Sequence, residues 1–247
     1  MRYFVHFSYL GTHYHGWQKQ PNASSVQEKL EYSLSMLLAL PVELMGAGRT
    51  DAGVHAKKMV AHFDTEIDFD PLIITDRLNA FLPEDISIDQ IVAVTQDTHA
   101  RFTATSRTYE YIVVNRKDPF QHHGAHYVFH PIDIHAMNTA AQMLLGEKDF
   151  ECFSKSNSDV HTYICDISHA KWVATKDQLV FTITANRFLR NMVRAVVGTL
   201  LEIGTGKRPV TDIPALLASK SRSKAGPSVP AKGLYLTQIN YPENIYV

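Results

Sequence analysis

Ser25-Val26-Gln27-Glu28-Lys29-Leu30-Glu31 decides how the first part of the chain is read. Ser followed three residues later by Glu is a capping box, the reciprocal side-chain arrangement that opens a helix. Beyond it, apolar residues recur at Val26, Leu30, Leu34, Leu37 and Leu38, spaced near three and four as on one helical face. Pro41 closes that helix. Upstream, Tyr3-Phe4-Val5-His6-Phe7-Ser8-Tyr9 reads as a strand, and a polar, aromatic loop from Gly11 to Ser24 connects the two. Downstream, Val42–Ala47 and Met59–Phe63 read as second and third strands on either side of an irregular Gly-containing turn. Asp70-Pro71 opens a second helix running to about Leu82, with Pro in the first turn, and Ile86–Val94 alternates as a fourth strand. The order β-α-β-β-α-β is the ferredoxin-like arrangement.

The rest of the chain repeats that order. Tyr109–Val114 is a strand, and Asp133–Leu145 is a helix stopped by Gly146. Tyr163–Val173 and Leu179–Thr184 are strands joined by the polar turn Thr175-Lys176-Asp177. Asn186 to Ile203 is a helix ended by Gly204, a short helix follows at Thr211–Ala218, and Leu234–Asn240 closes as a strand. The expected fold is therefore α+β: two ferredoxin-like or RRM-like halves, residues 1–100 and 101–247. A cleft between them is the default place for a site. Lys220–Lys232 is rich in Ser, Lys and Pro and reads as a mobile loop.

Composition narrows the class. The chain has 247 residues, 45% hydrophobic and 20% charged, which excludes a disordered or low-complexity protein. No apolar stretch approaches the ~18 residues needed to span a membrane. The first residues alternate like a strand, so no signal peptide is expected. Two cysteines, Cys152 and Cys165, make no disulfide framework, which fits a cytoplasmic protein. Net charge is −1, but it is unevenly spread: residues 1–100 hold 7 basic and 13 acidic side chains, and residues 101–247 hold 17 and 12. Such a division fits either solvated faces or an anionic ligand held mainly by the second half.

Gly46-Ala47-Gly48-Arg49-Thr50-Asp51-Ala52-Gly53-Val54-His55-Ala56 is the most unusual segment. Its glycines allow close backbone approach to a ligand, and its Arg and Asp can be presented as a unit. It is not a phosphate loop, because no Gly lies at the required offset from a Gly-Lys pair; Gly206-Lys207 has Leu201 in the first position. It is not a dinucleotide fingerprint either, since Asp51 stands where the third Gly belongs. His13 and His15, and the group His122, His123, His126, His130 and His135, lack metal-site spacing and read as polar loop histidines. There is no Gly-x-Ser-x-Gly elbow, and neither cysteine has an activated context.

Two basic segments stand out. On the strand after Arg101 and Phe102, Arg107, Tyr109 and Tyr111 share one face, suited to stacking on bases and touching phosphate. On the expected helix Asn186–Gly198, Arg187, Arg190 and Arg194 fall at helical spacing and form a stripe.

Together these segments resemble a known family, tRNA pseudouridine synthase A. The resemblance covers nearly the whole chain. Its blocks are the Gly46–His55 motif, Gly16-Trp17-Gln18-x-Gln20, Ser25-Val26-Gln27-Glu28-x-Leu30-Glu31, Ala100-Arg101-Phe102, Arg107-x-Tyr109-x-Tyr111, Asn186-x-Phe188-Leu189 with Met192-Val193-Arg194, and Gly233-Leu234-Tyr235-Leu236. Two positions depart from it. Tyr9-Leu10-Gly11 stands where the family has Tyr-Asp-Gly, and Arg190-Asn191 where it often has His or Tyr at the first position.

The resemblance implies isomerisation of uridine to pseudouridine at positions 38, 39 and 40 of the tRNA anticodon stem-loop. It implies a homodimer acting on tRNA, with no cofactor and no metal. It also assigns roles: Asp51 as nucleophile, Arg194 as its cationic partner, Arg49 beside the extruded nucleotide, Tyr109 as the stacking residue, and Leu234 and Leu236 as walls of the uracil pocket. Arg107 and Arg190 become phosphate contacts. The chemistry suits one carboxylate, because the rearrangement is internal to the nucleotide and uses no hydrolytic water. Two other classes fit parts of the pattern: a non-catalytic RNA-binding module, and a metal-dependent hydrolase built on the histidines.

Overall fold

Ser25 behaves as the capping box predicts: its Oγ accepts the Glu28 amide at 3.3 Å and opens α1 (Val26–Leu38). This computed structural model describes residues 1–155 and 160–247. The chain divides into two compact units, Met1–Thr105 with Tyr235–Val247, and Ser106–Leu234.

Unit 1 contains β1 (Arg2–Tyr9), α1, β2 (Met45–Gly46), β3 (His55–Asp64), α2 (Pro71–Phe81) and β4 (Ile86–Val94). β4 and β3 flank β1, both antiparallel to it, and β2 pairs antiparallel with β3. That is the 4-1-3-2 order of the ferredoxin-like fold. α1 turns Val26, Leu30, Leu34 and Leu38 inward, and β1 and β3 supply Phe4, Phe7, Met59 and Phe63, all buried. Asp70 caps α2 by accepting the Leu72 amide at 2.8 Å.

The second strand is shorter than the expected Val42–Ala47. Side chains of α1 capture the backbone first. The Val42 amide donates to Ser35 Oγ at 2.9 Å, the Leu44 amide to Glu31 Oε1 at 3.0 Å, and Gln27 Nε2 donates to the Leu44 carbonyl at 2.9 Å. Only Met45 and Gly46 pair with β3. β3 itself starts at His55, earlier than Met59, because His55 and Ala56 pair with Tyr235 and Leu236 and Ala56 with Tyr9.

Unit 2 contains β5 (Ser106–Val114), β6 (His126–Tyr127), α3 (Ile134–Gln142), β7 (Gly146–Asp149), β8 (Ile164–Ala174), β9 (Leu179–Ala185), α4 (Met192–Gly204) and α5 (Asp212–Ser219). β5, β9, β8 and β7 lie side by side, each pair antiparallel, which gives the 1-3-2 part of the ferredoxin-like order with β7 added at its edge. β6 adds a parallel two-residue pairing on β5. Trp172 on β8 is held by Asn138 of α3, which donates to its carbonyl at 3.0 Å and accepts its amide at 2.8 Å. α4 is apolar almost all round and nearly every residue in it is buried.

The last strand, β10 (Leu234–Asn240), pairs in parallel with β3 through Tyr235–His55 and Leu236–Ala56. The chain then crosses unit 1 to β4, where the Thr95 amide donates to the Ile245 carbonyl at 2.9 Å. Residues from Tyr235 onward thus belong to unit 1, whereas a division near residue 100 counts them with the second half.

Two further expectations are corrected. The helix expected from Asn186 begins at Met192. Asn191 has φ +66°, a left-handed conformation that interrupts a right-handed helix, and the preceding backbone is engaged elsewhere. The Asn186 amide donates to the Asp166 carbonyl at 3.1 Å, and the Arg190 carbonyl accepts from Lys155 at 3.0 Å. Arg187 and Arg190 therefore lie in the lead-in, and only Arg194 is on the helix. The Lys220–Lys232 segment, expected to be mobile, is bonded to α4. The Gly226 amide donates to Thr199 Oγ1 at 2.9 Å, and the Val229 amide to the Arg194 carbonyl at 3.2 Å.

Candidate active site

In unit 1, residues 47–54 run as an irregular loop from β2 to β3. Ala47 roots one end in the core with Phe4, Val60, Val94, Ala100 and Ile245, and its amide donates to the Val60 carbonyl at 2.8 Å. The other end closes through the Val54 amide, which donates to the Asp51 carbonyl at 3.1 Å. The Gly53 amide donates to the Tyr14 carbonyl at 3.3 Å.

Between these ends, Thr50 is gripped by the segment that follows β1. Its Oγ1 accepts the Trp17 amide at 3.1 Å and shares a hydrogen bond with the Tyr9 hydroxyl at 2.9 Å. Neither Gly16 nor Gly46 has room for a Cβ. Gly16, at φ +91°, has the Thr50 carbonyl where a Cβ would project, and a Cβ on Gly46 would lie 2.5 Å from Trp17 Nε1. These contacts join the Gly16-Trp17 block to the Gly46–His55 motif. Asp51 is half-buried on the loop and Arg49, two residues away, is exposed. His55 is buried: its Nδ1 accepts the Gly11 amide at 2.9 Å and its ring stacks on Tyr235 at 4.7 Å. It is a strut of the loop. Leu236 is buried opposite Ala56.

Unit 2 gathers the remaining sequence-selected residues around β5 and the lead-in to α4. Tyr109 is half-buried and meets the edge of Phe188, with ring centroids 5.1 Å apart and planes at 88°. Arg107 donates to the Asn186 carbonyl at 2.9 Å. Arg190 is exposed, and Arg187 donates to the Thr162 carbonyl at 3.2 Å. On α4, Arg194 Nε donates to the Val229 carbonyl at 2.8 Å. Leu234 is buried at the end of the unit.

Tyr111 departs from the expected base-stacking face. It is fully buried, and its hydroxyl donates to the Pro230 carbonyl at 2.9 Å. Burial pushes its phenol well above the usual tyrosine range, only partly offset by Arg194. The alternation of β5 placed it beside Tyr109; the Pro230 segment covers it.

Both cysteines are buried and free, and burial pushes the Cys152 thiol up to about 12 and the Cys165 thiol up to about 11, so neither is a thiolate near neutrality. Among the described residues, no cluster of three or more His, Cys, Asp or Glu is arranged to hold a metal ion. No helix among them is long and apolar enough to cross a membrane.

Two α+β units, one carrying a carboxylate on a glycine-bounded loop and the other tyrosine and arginines, match the tRNA pseudouridine synthase family over residues 6–103 and 140–242. The chain belongs to that family, the enzymes that convert uridine in tRNA to its carbon-linked isomer. More narrowly, it is similar to proteins named tRNA pseudouridine synthase A. It is 51% identical to that of Bacteroides thetaiotaomicron, over 99% of this chain and 92% of the relative. It is 48% identical to that of Parabacteroides distasonis, over 99% and 98%. The relative in Pectobacterium atrosepticum is 42% identical, over 95% and 83%.

Proposed function

We propose that this protein isomerises uridine at positions 38, 39 and 40 of the tRNA anticodon stem-loop, with Asp51 as nucleophile. The observation that carries this reading is the Asp51 loop, a carboxylate held between a core-rooted Ala47 and a closed turn at Val54. Its sequence is the family's catalytic motif, in a chain alike its relatives nearly end to end.

The chemistry balances without a co-reactant. The bond from the sugar carbon to N1 breaks, the uracil turns, and the sugar carbon bonds to C5. The hydrogen on C5 leaves to solvent and N1 gains a proton. The reading assigns Asp51 to attack the nucleotide, with Arg194 as its cationic partner. Tyr109 stacks on the extruded base, an interaction worth ~1–3 kcal/mol. Taking a base out of a stem costs a few kcal/mol, which Arg49 offsets by filling the vacated space or holding its phosphate. Leu234 and Leu236 exclude water from the uracil, and Arg107 and Arg190 hold phosphates. The enzyme works without cofactor or metal, in the cytoplasm, as a homodimer; light scattering should then give a mass near twice 27.8 kDa.

The test is tritium release from tRNA carrying [5-³H]uridine, with EDTA present. Wild type should release label, and Asp51→Asn should lose about 10³-fold or more in rate while still binding tRNA. Wild type that binds an unmodified tRNA without releasing label would instead make the protein an RNA-binding module.

A further inference from the structure

The residue next to the carboxylate, Thr50, is held through its own hydroxyl by that of Tyr9, a pair the assigned chemistry does not use. Tyr9 closes β1, where it is in register with Ala56 on one side and Ile86 on the other. Its ring is buried, so its hydroxyl is delivered from a fixed point in the sheet. That hydroxyl lies 2.9 Å from Thr50 Oγ1, which also accepts the Trp17 amide at 3.1 Å. Thr50 is β-branched and stiff at χ1, so fixing its Oγ1 fixes its backbone as well. The peptide that follows carries Asp51.

We propose that the Tyr9–Thr50 hydroxyl pair is a positioning device for Asp51, setting the direction of its carboxylate toward the reacting nucleotide. The inference rests on Asp51 being the nucleophile. A carboxylate on a loop gains little from being present if it can swing; a displacement of ~1 Å costs about 10²-fold in rate. The pair acts through Asp51 and touches no substrate. It therefore controls the chemical step and leaves tRNA recognition to other residues.

The experiment compares Tyr9→Phe, Thr50→Val and Thr50→Ser with wild type in single-turnover tritium release, together with tRNA affinity and thermal melting. Tyr9→Phe keeps the buried ring, and Thr50→Val keeps the branched shape without the hydroxyl. Each is expected to lower the rate at saturating tRNA by about 10- to 100-fold, with affinity within about twofold. Thr50→Ser retains Oγ1 and is expected to recover most of the loss. The double variant Tyr9→Phe/Thr50→Val should lose no more than the worse single change, because the two hydroxyls act as one unit.

Rates within about twofold of wild type in both Tyr9→Phe and Thr50→Val would overturn the proposal. So would a loss that appears as weakened affinity, that Thr50→Ser does not recover, or that follows melting temperature across the set. If Asp51→Asn released label as fast as wild type, the nucleophile assignment itself would fall and this inference with it. Unaffected hydroxyl variants beside an inactive Asp51→Asn would remove this inference alone.

Discussion

Unit 1 holds its key loop through close packing and short, stiff or buried side chains, and unit 2 holds its arginines by their own flexible side chains. Around Asp51, backbone lies on backbone at Gly16, the buried Trp17 indole lies on Gly46, and buried His55 is a strut. In unit 2, Arg107, Arg187 and Arg194 each reach a carbonyl with a flexible side chain, and Arg190 is exposed. Charge follows the same division. Unit 1 has 8 Lys and Arg against 14 Asp and Glu, a net −6, and unit 2 has 16 against 11, a net +5. The contrast suits two tasks. Attack on one atom needs a fixed direction, whereas a phosphate backbone accepts a cation over a range of positions.

That contrast can be broken at its stiffest point. Gly16→Ala places a methyl against the Thr50 carbonyl at a positive φ, and should cost about 3–4 kcal/mol in denaturant unfolding together with most of the activity. Gly206→Ala in unit 2 is the comparison. It has the same sign of φ, at +73°, but nothing within 4 Å of the added carbon, so about 1 kcal/mol is expected. Equal costs at the two sites would remove the distinction between a packed and an open backbone.

A smaller effect sharpens the contrast through pH. His62 is buried on β3, where its Nδ1 accepts the Ala100 amide at 3.2 Å. Burial, with Arg2 and His99 adding to it, lowers its pKa from 6.5 to about 4. The unfolded chain therefore binds the proton more readily than the folded one. The stability tied to neutral His62 is complete above pH 6.5 and is lost as the pH falls through 4. It amounts to about 3 kcal/mol. His62→Gln keeps an acceptor for the amide, and its melting temperature should fall less steeply between pH 7 and 4. An unchanged slope would place the acid sensitivity elsewhere.

The smallest expected effect belongs to the flexible side. Arg187→Ala and Arg190→Ala should each weaken tRNA binding by about 1 kcal/mol and lower the slope of log affinity against log salt by about 1. Titrations across a potassium chloride series measure both. A change in affinity with no change in slope would mean that these side chains act structurally.

Much of this was legible in the sequence because the signals were local. The Ser25 capping box, the alternation of β4 and the glycine-bounded Asp51 motif are each decided within about ten residues. Failures came where distant partners intervened. The strand expected at Val42–Ala47 lost its backbone to α1 side chains. The arginine stripe disappeared because Asn191 turns left-handed and the lead-in bonds to Lys155 and Asp166. Tyr111 alternates as if exposed and is covered by a segment more than a hundred residues on. In the candidate site, Thr50 and Trp17 lie inside the Gly46–His55 motif and the Gly16–Gln20 block, but their hydrogen bond crosses 33 positions and no periodicity reveals it.

The parallel pairing of β10 with β3 also bears on how the protein is made. His55 and Ala56, just past the Asp51 loop, meet their strand partners only at Tyr235 and Leu236. Ribosomes add about 5–20 residues per second, so this edge of the sheet stays uncovered for roughly ten seconds or more after it emerges. During that interval His55 also lacks the Tyr235 ring that stacks on it. The loop bearing the carboxylate is thus assembled late, and a nascent chain holding every residue of the Gly46–His55 motif still lacks its finished setting.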